Sequence, residues 1–261
     1  MKKLIFLFAV LLGVASGKAQ NIDSLVYFDQ DTTGLAKSIA EDEAAWVWTD
    51  TLEDADFSRV DSYVLQIKGR YKNIPALAKD ITQPFSTDED KVRAIFRWMT
   101  NNIAYDCADY HNKNRSIGGS VTYNKKTTKE EKAGKWEDVY YKYATKVLRN
   151  KKGVCEGYAT LFYELCRYSG IQCHVVTGKA NTNLEGKPKY GGHAWNKVRI
   201  GDDWYFTDVC WASGACDEKV TKFYKGLNNH YYLTSIEKPW DDHIANEKQT
   251  KRRNDLVGNF H

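Results

Sequence analysis

The chain has 261 residues, of which 42% are hydrophobic, 28% charged and 13% aromatic, enough to bury a sizeable core in one domain or two small ones. Its 8 Trp, 17 Tyr and 10 Phe exclude a disordered chain, 18 Gly and 4 Pro exclude a collagen-like or proline-rich one, and 6 Cys are too few for a disulfide-built mini-fold. The formal charge of +4 falls to +1 without Lys2, Lys3 and Lys18, which leaves 35 basic against 34 acidic residues and no electrostatic case for nucleic acid.

Met1-Lys2-Lys3 is a short basic start, and Leu4 to Val14 is an apolar run of 11 residues. Small residues follow, with Gly17 and Ala19 placed as a cleavage signal. This is the anatomy of a secretory signal peptide over 1–19, cut after Ala19. The run is about half of what a bilayer needs. No Cys stands just behind it to take a lipid, and no later stretch is apolar enough to span. The expectation is a protein with no stable membrane insertion, periplasmic or secreted.

Residues 20–69 are polar, acidic and patchily aromatic, and read as an N-terminal arm with some helix, wrapped on the domain. A short helix is predicted over 74–81, broken by Pro84. Ser86 to Glu89 looks like a capping box opening a second helix, with Val92, Ile95, Phe96, Met99 and Ile103 on its buried stripe. Glu89 and Arg93 read as a solvent-side pair four residues apart. Residues 107–135, rich in Lys, Asn, Thr and Gly, read as a solvated surface excursion with a hairpin around Val121–Tyr123. A helix follows over 136–148. Another starts at Cys155, with Ala159, Phe162, Leu165 and Cys166 on one face and Gly170 closing it. Strands are predicted over 173–177, 193–200 and 204–209, the last two joined by a tight turn at Gly201-Asp202. A polar loop spans 181–190, and Tyr231-Tyr232-Leu233 reads as a further short strand. Residues 246–261 read as a polar, frayed tail. Helices first and antiparallel strands second predict an α+β domain over 70–245, with the helices on one side of the sheet.

Cys155 follows a glycine and opens a helix. Unpaired N–H groups and the helix dipole make such a position electropositive, which suits a nucleophilic sulfur. Lys151 and Lys152 add to that charge, and Gly153 and Gly157 leave room for a substrate backbone. A structural disulfide is the competing role for an exported cysteine. A thiol nucleophile needs a base, and the base an orienting carboxylate. If the hairpin turns at Gly201-Asp202, residues whose numbers sum to 403 face each other. Trp195 then stands opposite Asp208, and His193 lies diagonal to Asp208 on the same face. Trp204 and Phe206 share that face as apolar walls, where a carboxylate needs a hydrogen-bond partner such as an imidazole.

Four segments together resemble the transglutaminase-like superfamily. They are Lys91–Trp98 with Asn102–Asp106, Gly153–Ala159, Gly192–Asn196 and Trp204–Trp211. With Tyr231-Tyr232-Leu233 and His243, they look most like its kyphoscoliosis-peptidase-like branch, as an exported bacterial member. The resemblance implies a papain-like core in which a Cys at a helix start meets a His and an Asp from adjacent strands. On it Cys155 is the nucleophile, His193 the base and acid, and Asp208 the orienting residue. The Cys155 N–H is one oxyanion donor, with Trp136 and Tyr105 candidates for the second.

The resemblance implies acyl transfer at amide bonds of a peptide or protein through a thioester, a cysteine peptidase or amidase. A protein cross-linking transglutaminase and a non-catalytic binding module on the same fold are the alternatives, and removal of glycans from asparagine has no specific support. No calcium-loop pattern such as DxDxDG is present, which favours hydrolysis over a calcium-controlled cross-linker. Envelope proteins and surface polymers are the partners an exported member would meet. Cys166 and Cys210 read as packing, and pairing among Cys107, Cys166, Cys173, Cys210 and Cys216 is open, with Cys210–Cys216 one possibility. No CxxC or HExxH spacing occurs, so no metal or cofactor is called for. His111, His174, His230 and His243 read as ordinary surface or core histidines.

Overall fold

The computed structural model describes residues 56–113, 126–183 and 187–256. The predicted signal peptide, most of the predicted arm and the hairpin around Val121–Tyr123 lie outside the described residues.

Three helices come first: α1 (Ser58–Gln66), α2 (Ile74–Thr82) and α3 (Asp88–Asn102). The predicted stripe of α3 is buried, and α1 packs on α3 through Val60 and Val64. The cap of α3 is Thr87 rather than Ser86. Thr87 is the residue in extended backbone, and its hydroxyl accepts the Asp90 N–H at 3.2 Å. Arg93 does not pair with Glu89 in solvent. It is 1% exposed, reaches Asp61 through Nε (2.8 Å) and Nη2 (2.7 Å), and donates to Asn229 Oδ1 at 2.8 Å. Its guanidinium also lies 4.1 Å from the Phe57 ring centre, so one buried cation ties α1 to α3.

After α3 come β1 (Ala104–Tyr105) and the short α4 (Cys107–Tyr110). The next helix, α5 (Lys129–Asn150), starts at Lys129 rather than Trp136, because Thr128 and Glu131 close a capping box ahead of it. β2 (Lys152–Gly153) pairs in parallel with β1 and leads into α6 (Cys155–Tyr168), after which Gly170 takes φ +76°.

The sheet is built from β3 (Cys173–Asn181), β4 (Tyr190–Ile200), β5 (Asp203–Thr207), β8 (Thr234–Ser235) and β9 (His243–Ala245), all antiparallel, in the order β8-β5-β4-β3-β9. The β4–β5 register is the predicted one, with Asn196 opposite Thr207 and Lys197 opposite Phe206. One face packs on α6, where Asn196 Nδ2 donates to the Ala159 carbonyl at 3.0 Å. Alternation puts His193 and Trp195 on the other face. The strand predicted to run to Val209 stops at Thr207. Asp208 instead caps α7 (Val209–Ala212), which leads to the small hairpin β6 (Gly214–Cys216) and β7 (Phe223–Lys225). Tyr231-Tyr232-Leu233 is not a strand: Asn229–Tyr231 form a 3₁₀ turn and Leu233 takes φ +48°.

The tail is not frayed over its described part. Residues Glu247–Leu256 form α8, which lies against β3. β9 is short and pairs only with Gly178, Lys179 and Ala180. The remaining edge of β3 is satisfied by side chains of α8. Thr250 Oγ1 accepts the Thr177 N–H at 3.0 Å, and the Asn254 amide bonds both the N–H (3.3 Å) and the carbonyl (3.0 Å) of Val175. This helix buries polar groups because its task is to replace a strand. That is why its sequence carries no apolar stripe.

Candidate active site

Cys155 is the first residue of α6, and Val154 before it supplies no side-chain cap. The N–H groups of that first turn are therefore not taken by a capping side chain. Cys155 is half-buried and opens on a cleft of about 510 Å³. Tyr140 and Tyr143 of α5, Thr177 of β3, Gly192–Ala194 of β4 and Gln249 and Arg253 of α8 complete its walls with Glu156.

His193 enters the cleft from β4. Its Nε2 lies 2.5 Å from Asp208 Oδ2, with side-chain exposures of 7% and 1%. The other Asp208 oxygen accepts the N–H groups of Cys210 (2.9 Å) and Trp211 (3.1 Å). Burial works against charge on the His193 ring. The Asp208 carboxylate outweighs it, helped by hydrogen bonds to Asp208 and Cys155, and the imidazole is pushed up to about 10. Burial likewise opposes charge on Asp208, but His193 first and then His243 hold that carboxyl well below the usual carboxylate range. The structure thus brings Cys155, His193 and Asp208 together.

The surroundings differ from those predicted in several ways. The ring of His193 is walled by Trp195, stacked with centroids at 5.8 Å, and by Trp211 at 5.3 Å. Phe206 touches Trp195, and Trp204 pairs with His174 further along the sheet. The glycines before and inside α6 are small for packing rather than for a substrate. A Cβ on Gly157 would stand 2.9 Å from Val147 Cγ2, and one on Gly153 3.2 Å from Val147 Cγ1. The Lys151 ammonium turns away to lie 3.9 Å from the Trp98 ring centre, and burial lowers it to about 8. Neither Trp136 nor Tyr105 lines the cleft; Trp136 packs with Tyr140 and Tyr105 with Tyr110. All six cysteines are free thiols. Cys166 and Cys210 are buried as packing, and the neighbour of Cys216 is Cys107, at 3.9 Å, rather than Cys210.

Two functional features escaped sequence reasoning. Arg253 of the supposed tail reaches into the cleft wall, donating to Glu156 Oε1 at 2.7 Å and Thr160 Oγ1 at 2.9 Å. His243 shares Asp208 Oδ2 with His193, at 3.1 Å through its Nε2. Its place among the segments of the family resemblance was the one available signal. His193, Asp208 and His243 offer three ligand-type atoms within 4.8 Å of one another. Yet two ligands of a tetrahedral ion stand roughly 3.3 Å apart, given metal–ligand lengths of about 2.0–2.1 Å. The 2.5 Å His193–Asp208 contact is closer than that spacing and has the length of a charge-assisted hydrogen bond.

The family model described as the transglutaminase-like superfamily matches residues 75–209, just over half of the chain. The chain belongs to the transglutaminase-like superfamily. Within the superfamily it falls in the kyphoscoliosis-peptidase-like branch. It is 30% identical over 202 residues to the kyphoscoliosis peptidase of Homo sapiens, covering 76% of this chain and 27% of that protein. It is 23% identical over 207 residues to hillarin of Drosophila melanogaster, covering 72% and 21% respectively. The chain thus spans about a quarter of the length of the curated relatives it matches. A solved arylamine N-acetyltransferase of Bacillus cereus overlaps with a TM-score of 0.34 at 13% identity, covering 61% of this chain and 50% of that one. Helices pack on an antiparallel sheet, the α+β fold the resemblance implied.

Proposed function

We propose that this transglutaminase-like protein is an exported thiol enzyme that hydrolyses amide bonds of peptides or proteins, with Cys155 as nucleophile, His193 as base and acid, and Asp208 as the orienting residue. The reading is carried by one observation: the His193 ring stands in a cleft wall beside Cys155 and against the buried carboxylate of Asp208.

With Nε2 engaged by Asp208, Nδ1 is left to serve the sulfur. The thiolate of Cys155 attacks the amide carbonyl, and the C–N bond breaks as His193 gives its proton to the leaving amine. Water then loses a proton to His193 and attacks the thioester, and the C–S bond breaks to return the thiol. The Cys155 N–H at the helix start stabilises the oxyanion. Hydrolysis is favoured over cross-linking because the sequence carries no calcium-loop pattern. Export rests on the basic and apolar anatomy of residues 1–19.

An iodoacetamide-based probe tests the reading on native protein. Cys155 is expected to label ahead of the other five thiols, and Cys155→Ala to abolish that labelling and the release of peptide fragments from a protein substrate mixture. An inert Cys155 beside reactive neighbours would overturn the enzyme reading in favour of a binding module. Amine incorporation without net cleavage would replace hydrolysis by cross-linking.

A further inference from the structure

Behind Asp208 the hydrogen-bonded chain does not stop. His243 reaches Asp208 Oδ2 through Nε2 and faces Asp242 Oδ1 through Nδ1 at 2.5 Å. Asp242 Oδ2 in turn accepts the Tyr231 hydroxyl at 2.8 Å. The His243 side chain is 1% exposed and that of Asp242 13%. Indoles of Trp195, Trp211 and Trp240 surround the His243 ring with centroids at 4.7–5.0 Å. The titratable groups that face it are Asp208, Asp242, His193 and Tyr231, with His230 as a more distant charge neighbour.

The chemistry of this arrangement is constrained. Each nitrogen of the His243 ring meets a carboxylate oxygen, Nε2 that of Asp208 and Nδ1 that of Asp242. Asp208 then accepts from His193, His243, Cys210 and Trp211, which fills both oxygens. A carboxylate with every acceptor site taken has one orientation, and that orientation holds an oxygen on His193.

We propose that His243, held by Asp242, is a positioning residue that pins Asp208 toward His193. The proposal rests on the thiol-enzyme reading for its purpose, but not for its measurement. Asp242 holds His243 from the partly exposed end, and the indole cage excludes water that would compete for the shared oxygen. The pair touches no reacting atom; it acts through Asp208 alone.

Full-length wild type, Asp242→Ala and Asp242→Asn are compared after matching their thermal unfolding. Two readouts are taken: the iodoacetamide labelling rate of Cys155 at neutral pH, and the pH at which the His193 ring loses its proton, followed by NMR. Asp242→Ala is expected to slow labelling about tenfold and to move the His193 titration to lower pH, whereas Asp242→Asn, which keeps an acceptor for the ring, stays near wild type. Wild-type values in Asp242→Ala, or equal losses in both variants, overturn the proposal. If Asp242→Ala does not fold, Tyr231→Phe removes only the hydroxyl on Asp242 and is expected to slow labelling about two- to threefold and to lower the His193 titration by roughly 0.3–0.5 pH unit; no shift in either overturns it. Should Cys155 fail to label in wild type, the enzyme reading falls while the His193 titration still decides the role of His243.

Discussion

Asp208 keeps its charge in a place where water scarcely reaches because hydrogens converge on both of its oxygens. The His193 ring is raised from 6.5 to about 10, and Asp208 is lowered from 3.8. A raised imidazole stabilises the fold fully below its unfolded value, and that contribution is lost as pH climbs through about 10. A depressed carboxyl does so above its unfolded value, and its contribution is lost in acid. The stabilisation from this pair is therefore expected to be complete between about pH 4 and 6.5 and to decline on both sides. Thermal melts of wild type and Asp208→Asn across pH check this: the gap between them should be widest in that window and shrink toward pH 10. Asp208→Asn is also expected to slow Cys155 labelling at least a hundredfold, since a neutral amide neither holds the ring charged nor fixes its tautomer, a loss of roughly that size or greater.

At the scale of elements, the place of the sulfur is set by how closely α6 meets α5. Gly157 lies against Val147 and Tyr143 with no space for a methyl group. Gly157→Ala is expected to push the first turn of α6 off α5. The predicted cost is about 1–3 kcal/mol in denaturant unfolding, together with slower labelling of Cys155 two residues away. Unchanged stability and unchanged labelling would mean that Val147 yields freely. The parallel β1–β2 pair adds a second restraint, since the Asp106 N–H donates to the Gly153 carbonyl at 3.0 Å just ahead of the helix. Cys155 and Asp208 thus sit at element ends, Cys155 after a short strand and Asp208 before a short helix, where backbone N–H groups are available to charge.

At the scale of the whole molecule, α8 does two jobs. It completes the open edge of β3 and supplies Gln249 and Arg253 to the cleft wall. A chain ending at Asn246 is expected to lose several kcal/mol of stability, because it leaves backbone groups of Val175 and Thr177 without their partners at about 1–3 kcal/mol each and frees Glu156 from Arg253. Denaturant melts measure the loss, and light scattering should show self-association through the exposed strand edge. A truncated chain as stable and as monodisperse as the full one would leave α8 no structural role.

The hairpin at Gly201, the buried stripe of α3, the helix opening at Cys155 and the shared side of His193 and Asp208 were legible in the residues themselves. Each depends on local periodicity or on the fixed alternation of a strand. The contacts of Arg93, His243 and Arg253 were not, because their partners Asp61, Asp208 and Glu156 are 32, 35 and 97 positions away. Charged residues without an apolar pattern read as solvent-facing until a fold brings their counter-charges close. Order in the chain thus determined which side chains are available to form a site, and packing between distant segments decided which of them meet. The physical reason is range: backbone geometry acts over a few residues, while burial and charge pairing act through space.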